Sequence, residues 1–320
     1  MASTHAYDGH GRSAERPRDI PKAGWKDVLW RTKSQLAEDR LSIIAAGVAF
    51  YGLLSIFPAL TALVALYGLV FDPAQVMQQI QAMQGLLPQQ ATELLAGQMQ
   101  DLAQTDHAAL GIGLAGGILV ALWSASSAVK TLMEALNVAY DEEEKRGFLK
   151  RTALALALTL AGIVAVIVAI ALVVVLPGVI RFLGLGDTLQ QVAQWARWPI
   201  VVLVVWAGIA LMYRYGPSRD RPRWHWLSWG SASAVLLWLI GSALFSWYVT
   251  SFGNYNTTYG SMGAVVILLM WFLLSAYAVL IGAELNAELE RQTRKDTTVG
   301  RREPLGRRGA HAADTVGARR

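Results

Sequence analysis

The sequence contains no cysteine, and only 16% of its 320 residues are charged. Without cysteine the chain can form no disulfide bond, thiolate metal site or cysteine nucleophile. Its five histidines are scattered, and no H-x-H or H-E-x-x-H spacing occurs. A glycine-rich loop of the kind that binds nucleotides is also absent from the sequence. These absences predict a protein that is not an enzyme, with no catalytic residue, no metal-binding residue and no cofactor.

Long hydrophobic stretches are the main positive feature of the sequence. Hydrophobic residues make up 54% of the chain, and they are concentrated in stretches that carry few or no charges. A bilayer core about 30 Å thick requires roughly 20 apolar residues per helix. We therefore predict an all-α fold, a six-span transmembrane helical bundle, with spans at about 41–71, 108–128, 153–180, 198–212, 227–250 and 263–283.

Lysine and arginine are distributed asymmetrically about these predicted spans. All but Arg181 and Arg197 lie in the terminal segments or in the loops after the second and fourth spans. Basic residues close to the ends of spans are retained in the cytoplasm. This distribution predicts that both termini are cytoplasmic and that residues 251–262 lie on the outer side.

The segments outside the spans carry their own patterns. Residues 1–22 and 292–320 contain few large apolar side chains, which predicts a disordered cytoplasmic arm and a disordered basic cytoplasmic tail around a membrane domain at 23–291. Residues 73–104 have apolar side chains at helical spacing in two stretches separated by a proline, which predicts an amphipathic helical hairpin on the outer face. The stretch GWKDVLWRTKSQLAEDR has similar spacing and predicts an interfacial helix before the first span.

Three long blocks of the sequence carry a resemblance to a known family. They are AAGVAFYGLLSIFPAL in the first span, LWSASSAVKTLMEALNVAYDEEEKRGFLKR after the second, and YGSMGAVVILLMWFLLSAYAVLIGAELNAELER at the sixth. They resemble the YihY/BrkB family of bacterial membrane proteins, and the match extends from about Trp25 to Arg291. The resemblance implies a six-span, multi-pass protein of the bacterial inner (plasma) membrane. The family has names tied to virulence and an older label as a tRNA-processing ribonuclease.

A polar stretch, SFGNYNTTYGSM at 251–262, separates the last two apolar spans. Non-helical backbone at membrane depth is stable only when it is buried in protein or lines a water-filled cavity. One hypothesis is that the stretch folds over, or partly into, the outer mouth of the bundle. The alternative is an ordinary hairpin loop anchored by interfacial tyrosines. The candidate substrate-cavity residues are Asn254, Tyr255, Asn256, Tyr259, Gly260 and Ser261.

Polar groups and a proline in or near the spans form a second set of candidates, because unpaired polar groups are costly in hydrocarbon. Glu284 and Asn286 close the sixth span, where the alternative is that they lie at headgroup level or bond a neighbouring helix end. Ser55 precedes Pro58, which is predicted to kink the first span. Ser124 follows the second span's small-residue face and is equally compatible with a hydrogen bond across a tight helix interface.

These features predict a protein that binds or transports an amphipathic or small polar substrate across or within the membrane. The alternative is a non-transporting scaffold for envelope assembly. The ribonuclease is the least favoured hypothesis, because metal-dependent phosphodiester cleavage needs converging His, Asp or Glu side chains. The acidic run at 141–144 is followed at once by Lys145 and Arg146, as is typical of a solvated helix end. The predicted partners are the lipid bilayer and a lipid or small-molecule substrate but no specific nucleic acid, and a homo-oligomer is left open.

Overall fold

The computed structural model describes residues 9–70, 107–172, 186–252 and 262–319. Regular structure in these ranges is helical, apart from an isolated antiparallel bridge between Pro222 and Thr298. A short 3-10 helix at Pro17–Asp19 precedes the first α-helix. The α-helices are α1 (Lys22–Glu38), α2 (Leu41–Val70), α3 (His107–Ala139), α4 (Phe148–Ile170), α5 (Gly186–Tyr215), α6 (Trp224–Phe252), α7 (Met262–Glu290) and α8 (His311–Asp314).

Four of these helices are long and apolar enough to cross a membrane. The qualifying segments belong to α4, α5, α6 and α7, and they are Phe148–Ala169, Trp195–Tyr215, Trp224–Ser251 and Val265–Glu290. The pair formed by α1 and Leu41–Ile56 of α2 qualifies together, which makes up to five spans in the described ranges. The all-helical membrane architecture is therefore confirmed. The sixth span remains a prediction, and the predicted hairpin at 73–104 lies outside the described residues.

The helix surfaces are those of a protein covered by lipid. Only 6% to 22% of each of the four qualifying windows is buried inside the protein. Large apolar side chains such as Val164, Leu203 and Leu244 are more than half exposed. In water such surfaces would aggregate, whereas acyl chains cover them at no cost. Most apolar side chains of these segments therefore face the lipid, and fewer of them pack inside the protein.

Helix α7 lies at the centre of the bundle and packs against α1, α2, α3 and α6. Its inward face carries Leu280, Ala283 and Ala287, which are nearly or fully buried in the main hydrophobic cluster. The closest approach is to α6, where Gly230 and Gly282 face each other across the two helices. A Cβ atom added to Gly282 would lie 2.5 Å from the Gly230 carbonyl oxygen, so both glycines are needed for this contact.

One end of the bundle gathers the basic loops and both termini, and we call it the terminal end. The Arg146 guanidinium, in the loop after α3, donates to the carbonyl oxygens of Tyr215 and Gly216 at the end of α5. The backbone N–H of His311, in the C-terminal segment, donates to Glu142 at 2.6 Å. The segments that carry most of the lysines and arginines therefore lie together, as the predicted topology requires. The cytoplasmic location of this end remains a prediction.

The terminal segments differ from the predicted disordered arms. Arg12 is 6% exposed and donates to the carbonyl oxygen of Gly317 at 2.6 Å. Thr293 is fully buried and donates to the carbonyl oxygen of Ala14 at 2.7 Å. In the described parts, residues 9–20 and 292–319 are therefore folded against each other and against the end of α7. The composition has few large apolar residues here, but arginine and threonine side chains satisfy backbone carbonyls instead.

Helices α1 and α2 meet at a sharp bend. Helix α1 is capped by Asp39, and Arg40 has a φ of 50°, a left-handed conformation that is uncommon for a residue other than glycine. The axes of α1 and Leu41–Ile56 differ by 67°. The bend lays α1 across the end of α7 and brings Asp39 against that helix.

Candidate functional site

The end of α7 carries an unusual series of buried polar side chains. Glu284, Asn286, Glu288, Glu290 and Gln292 are each no more than 1% exposed. The helix turns about 100° per residue, so these alternating positions point toward several neighbouring elements rather than one. Isolated charges in such surroundings are costly, and each must be compensated by a partner or by a proton. A side chain whose hydrogen-bond or ion-pair partners are all present has a structural role, whereas one that lacks such partners is a candidate functional residue.

Asn286, one of the predicted residues, is engaged in helix packing. Its Oδ1 accepts a hydrogen bond from the backbone N–H of Gly230 at 2.8 Å. Its Nδ2 donates to the carbonyl oxygen of Leu227 at 3.4 Å. Both partners belong to the first turns of α6, where the proximity of Gly282 leaves no room for water. Asn286 therefore joins α7 to the first turns of α6.

Glu284, the other predicted residue of α7, has no such compensation by backbone donors. Its carboxyl group hydrogen-bonds the carboxyl group of Asp39, at the bend between α1 and α2. Its Oε1 is buried and has no hydrogen-bond partner in the described structure. Two ionised carboxylates in contact repel each other, so this contact is favourable only when one of the two groups carries a proton. Asp39 and Glu284 form a protonatable pair, which we call the carboxyl pair.

The charged groups close to the carboxyl pair are mostly acidic, and the arginine beside them is paired with two of these acids. Two further acidic groups, Asp141 and Glu288, lie within electrostatic range of Glu284. Arg291 reaches these two carboxylates, at 2.7 Å from Glu288 and 3.8 Å from Asp141. Burial raises the pKa of Asp39, and the bond to Glu284 offsets this only in part. Arg291 is therefore committed to carboxylates other than those of the pair.

The other acidic residues of this series are held by arginine. Glu288 accepts hydrogen bonds from Arg31 of α1 and from Arg291. Glu290 forms an ion pair at 2.7 Å with Arg219, and both side chains are wholly buried. The Arg219 guanidinium also covers the ring of Tyr140 at 5.0 Å, and burial raises the pKa of that phenol. These two ion pairs bind α1 and the loop after α5 to the end of α7.

The remaining predicted residues are not part of this cluster. Ser55 is half-buried and its hydroxyl donates to the carbonyl oxygen of Gly52 within α2 at 2.7 Å. Pro58 lies inside α2, downstream of the 67° bend, and the kink at Pro58 remains a prediction. Ser124 lies half-buried in α3, next to serines that donate to the carbonyl oxygen of Trp123. The six residues of the predicted substrate cavity, at 254–261, lie outside the described residues.

Sequence reasoning missed Asp39, Arg219 and the acidic residues that follow Asn286. The signal for the acidic residues was present in GAELNAELERQ, where an acid or amide occupies every second position after an uncharged run. Asp39 gave no signal, since it belongs to a short charged stretch, EDR, that reads as a solvated helix end. Its role depends on a bend that no local pattern predicts.

The acidic run at 141–144 is partly buried, in contrast to the solvated helix end that the sequence suggested. Glu144 accepts two hydrogen bonds at 2.7 Å from the side chain of Arg146, and a third from its backbone N–H. Asn137 donates to the same carboxylate at 3.2 Å. Burial raises the pKa of Glu144, but the bonds and charge of Arg146 outweigh this effect and lower it to about 2. This clamp fixes the loop after α3 against the end of α5.

The Glu144 clamp predicts a loss of stability in acid. A carboxyl whose pKa is depressed on folding stabilises the protein fully above its unfolded value of 4.5, and this contribution is lost as the pH falls toward 2. We expect Glu144→Gln to lower the free energy of unfolding by about 2–3 kcal/mol at neutral pH, and by much less near pH 2. Thermal unfolding in detergent micelles across this pH range measures the difference. A constant difference between variant and wild type at all pH values would contradict the assignment.

Groups of three or more His, Asp or Glu side chains placed to hold a metal ion are not found in the described ranges. Glu144, Glu288 and Glu290 contact arginines instead, and the two carboxyl groups of the carboxyl pair contact each other.

Comparisons with known proteins agree with this architecture. The family described as virulence factor BrkB matches residues 32–305. A ribonuclease-like protein of Bacillus subtilis, YfkH, is 31% identical over 252 residues, which are 78% of this chain and 90% of that protein. A UPF0761 membrane protein of Delftia acidovorans is 26% identical over 291 residues, which are 86% of this chain and 67% of that protein. No solved structure matches the chain.

Proposed function

Because the chain belongs to the virulence factor BrkB family of membrane proteins, we propose that it binds an amphipathic or small polar substrate and moves it across or within the bacterial inner membrane. The observation that carries the proposal is the carboxyl pair, a protonatable site without a committed cation in the lipid-exposed bundle. Ionisable groups buried at the ends of spans are rare, and they mark substrate or proton pathways in carriers. Proton exchange at the pair is the proposed coupling step.

The position of the carboxyl pair supports such coupling. Asp39 lies at the 67° bend between α1 and α2, whereas Glu284 lies on the central helix α7. Loss of the shared proton would place two negative charges in contact and would drive these helices apart. Gln35 and Glu38 of α1, Asp141 after α3 and Glu288 of α7 also act on the pair. Of these groups only Gln35 donates a hydrogen bond to Asp39, so deprotonation is poorly compensated.

The substrate itself is proposed to contact the polar stretch at 254–261, at the opposite end of α6 and α7 from the carboxyl pair. Asn254, Asn256 and the two tyrosines offer amide and phenol groups without net charge. Such groups suit the headgroup of an amphipathic molecule or a small polar solute. Movement of α7 against α2 would then link the proton site at one end to the substrate site at the other.

The proposal is tested with a fluorescent phospholipid carrying a nitrobenzoxadiazole label, as an amphipathic probe, in liposomes that contain the purified protein. Dithionite destroys the label only in the outer leaflet, so its decay reports movement between leaflets. We expect wild-type protein to accelerate the movement in a manner that differs between about pH 5 and pH 8, the range over which a buried carboxyl can titrate. Glu284→Gln keeps the size and offers an amide donor to Asp39, which would then stay ionised between about pH 5 and pH 8, so the rate of this variant is expected to be independent of pH over that range.

Two variants make this experiment specific. Glu143→Gln removes an exposed carboxyl from the loop after α3 and is expected to leave the rate and its pH dependence unchanged. Asn254→Ala/Asn256→Ala is expected to slow the movement at every pH. Rates equal to those of protein-free liposomes would reject transport of a phospholipid-like substrate. Native mass spectrometry of wild type beside the double variant would then show whether a small polar ligand is bound instead.

A scaffold for envelope assembly is the second candidate, and the folded terminal segments favour it. Residues 9–20 and 292–319 form a layer over the end of the bundle that could present a defined surface to a partner. A homo-oligomer, which the sequence leaves open, would be compatible with such a scaffold. The name of the Bacillus subtilis relative suggests a nuclease, but Glu144, Glu288 and Glu290 are each neutralised by arginine, which leaves them poorly suited to bind a catalytic cation.

A further inference from the structure

The outward face of α1 combines positive charge with exposed apolar side chains. Lys22, Lys26 and Lys33 are all exposed on this face. Leu29 is 57% exposed and Trp30 is 40% exposed between them. The spacing of four and seven residues places Lys26, Trp30 and Lys33 side by side on one surface of the helix. This composition differs from that of the opposite face, which is buried against α7 through Val28 and Arg31.

The acidic residues of α1 do not cancel this charge. Asp27 has a side chain that is 2% exposed, and it bonds His10 at 2.6 Å. Glu38 lies at the end of the helix and accepts a hydrogen bond from Ser34. The Arg31 guanidinium donates to the carbonyl oxygen of Glu288 in α7 and to the side-chain oxygen of Gln292, just after α7. The three exposed lysines of α1 therefore outnumber the exposed carboxylate of Glu38.

The tryptophans around α1 show its depth in the membrane. Trp25 of α1 packs edge to face against Trp229 of α6, with ring centroids 5.3 Å apart. Trp224 and Trp229 are about half exposed, and tryptophan at the end of a span marks the boundary between acyl chains and headgroups. Helix α2, which follows the bend, exposes Ile43 and Phe50 on its surface. The outward face of α1 therefore lies at the level of the lipid headgroups.

A cleft of about 1050 Å³ runs along this face. Its lining includes Lys26, Trp30 and Lys33, with His10 and Asp27 contributing as well and Glu38 at the end of α1. Lysine ammonium groups are suitable donors to phosphate oxygens, while leucine and tryptophan provide contact for acyl chains. The cleft is thus polar where a headgroup would lie and apolar where the chains would leave it.

We propose that this cleft is a binding site for the phosphate headgroup of an anionic phospholipid, with Lys26 and Lys33 as the charged contacts and Leu29 and Trp30 against the acyl chains. The positive face, its depth and its continuity with lipid-exposed helices together select a lipid of the surrounding bilayer as the occupant. The site lies on the exposed side of α1, and the proposal does not depend on transport. A bound lipid would also hold α1 at the membrane surface.

The test is native mass spectrometry of the full chain with an equimolar mixture of phosphatidylglycerol and phosphatidylcholine. We expect wild-type protein to retain phosphatidylglycerol preferentially. Lys26→Gln/Lys33→Gln is expected to lower that preference by about tenfold or more, since one lysine near an anionic surface contributes roughly fivefold. Lys26→Arg/Lys33→Arg is expected to keep it, and equal thermal unfolding of all variants shows that they are folded.

A matched control removes the same charge elsewhere at the terminal end. Lys145→Gln/Lys150→Gln changes two exposed lysines before and at the start of α4, and it is expected to retain the wild-type preference. Equal losses from both double variants would overturn the proposal, because they would show diffuse attraction rather than a site. Excess glycerol 3-phosphate is expected to leave the lipid bound. Displacement by this soluble compound would assign the cleft to a free phosphate ester and would also overturn the proposal.

Discussion

Replacing Arg219 by methionine is expected to lower the free energy of unfolding by about 3–5 kcal/mol, the usual cost of leaving one buried charge without its partner. Arg219 and Glu290 form an ion pair at 2.7 Å, and neither side chain has any exposed surface. Removal of the guanidinium leaves Glu290 with the hydroxyl of Thr297, at 2.6 Å, as its remaining partner. It also uncovers the ring of Tyr140. Denaturation in mixed detergent micelles measures the change.

Two further variants show whether this cost comes from the pair. Arg219→Met/Glu290→Met removes both charges and is expected to be less destabilising than Arg219→Met alone. Arg302→Gln breaks an exposed contact of 3.5 Å with Glu15 and is expected to cost no more than about 0.5 kcal/mol. If Arg219→Met costs as little as Arg302→Gln, or if the double variant is worse than the single one, the proposed role of the buried pair is wrong.

Gly282→Ala is expected to have a comparable effect by a different mechanism. The added Cβ would lie 2.5 Å from the carbonyl oxygen of Gly230, 2.5 Å from the hydroxyl oxygen of Tyr213 and 2.7 Å from the Cβ of Ala234. The backbone oxygen cannot move aside, so α6 and α7 must separate. This would weaken the bond from Tyr213 to the carbonyl oxygen of Val279, which measures 2.5 Å. We expect a loss of about 3 kcal/mol, at the upper end of overpacking costs.

Gly208→Ala is the matched control for this substitution. Gly208 also lies within a membrane helix, α5, but a Cβ atom there would meet nothing within 4 Å. Alanine favours helix over glycine, so this variant is expected to be neutral or stabilised by up to about 1 kcal/mol. Thermal unfolding of the two variants side by side gives the comparison. Similar melting behaviour of both would show that the contact between α6 and α7 is not tightly packed.

The positions of the membrane helices follow from features that are local in the sequence. A run such as ALALALTLAGIVAVIVAI has no charge and is long enough to cross the hydrocarbon core, so it must form a helix whatever its neighbours are. The same local reasoning singled out Glu284 and Asn286, because they interrupt an apolar pattern. It could not separate their roles, since Asn286 bonds the backbone of α6 while Glu284 meets Asp39.

The terminal segments show where local reasoning failed. Their composition, rich in arginine and poor in large apolar residues, predicted disorder. In the structure, Arg12, Arg31 and Arg308 are buried and donate to backbone carbonyl oxygens at the chain ends. The bonds of Arg12 and Arg31 join residues that are far apart in the sequence, and they leave no periodic pattern. Composition therefore indicates how much apolar surface a segment can bury. It does not indicate which hydrogen bonds the segment can form with a neighbouring part of the fold.

The sequence by itself determined that this is a membrane protein, that its fold is helical, where its apolar helices lie approximately, and to which family it belongs. These properties depend on the length and charge of single segments, because each helix by itself must match the thickness of the hydrocarbon core and satisfy its own backbone hydrogen bonds. Only the tertiary structure decided which buried acids are neutralised by arginine and which two carboxyl groups lie against each other. That distinction depends on the bend at Arg40 and on the glycine contact between α6 and α7, which set the distances between groups on different helices.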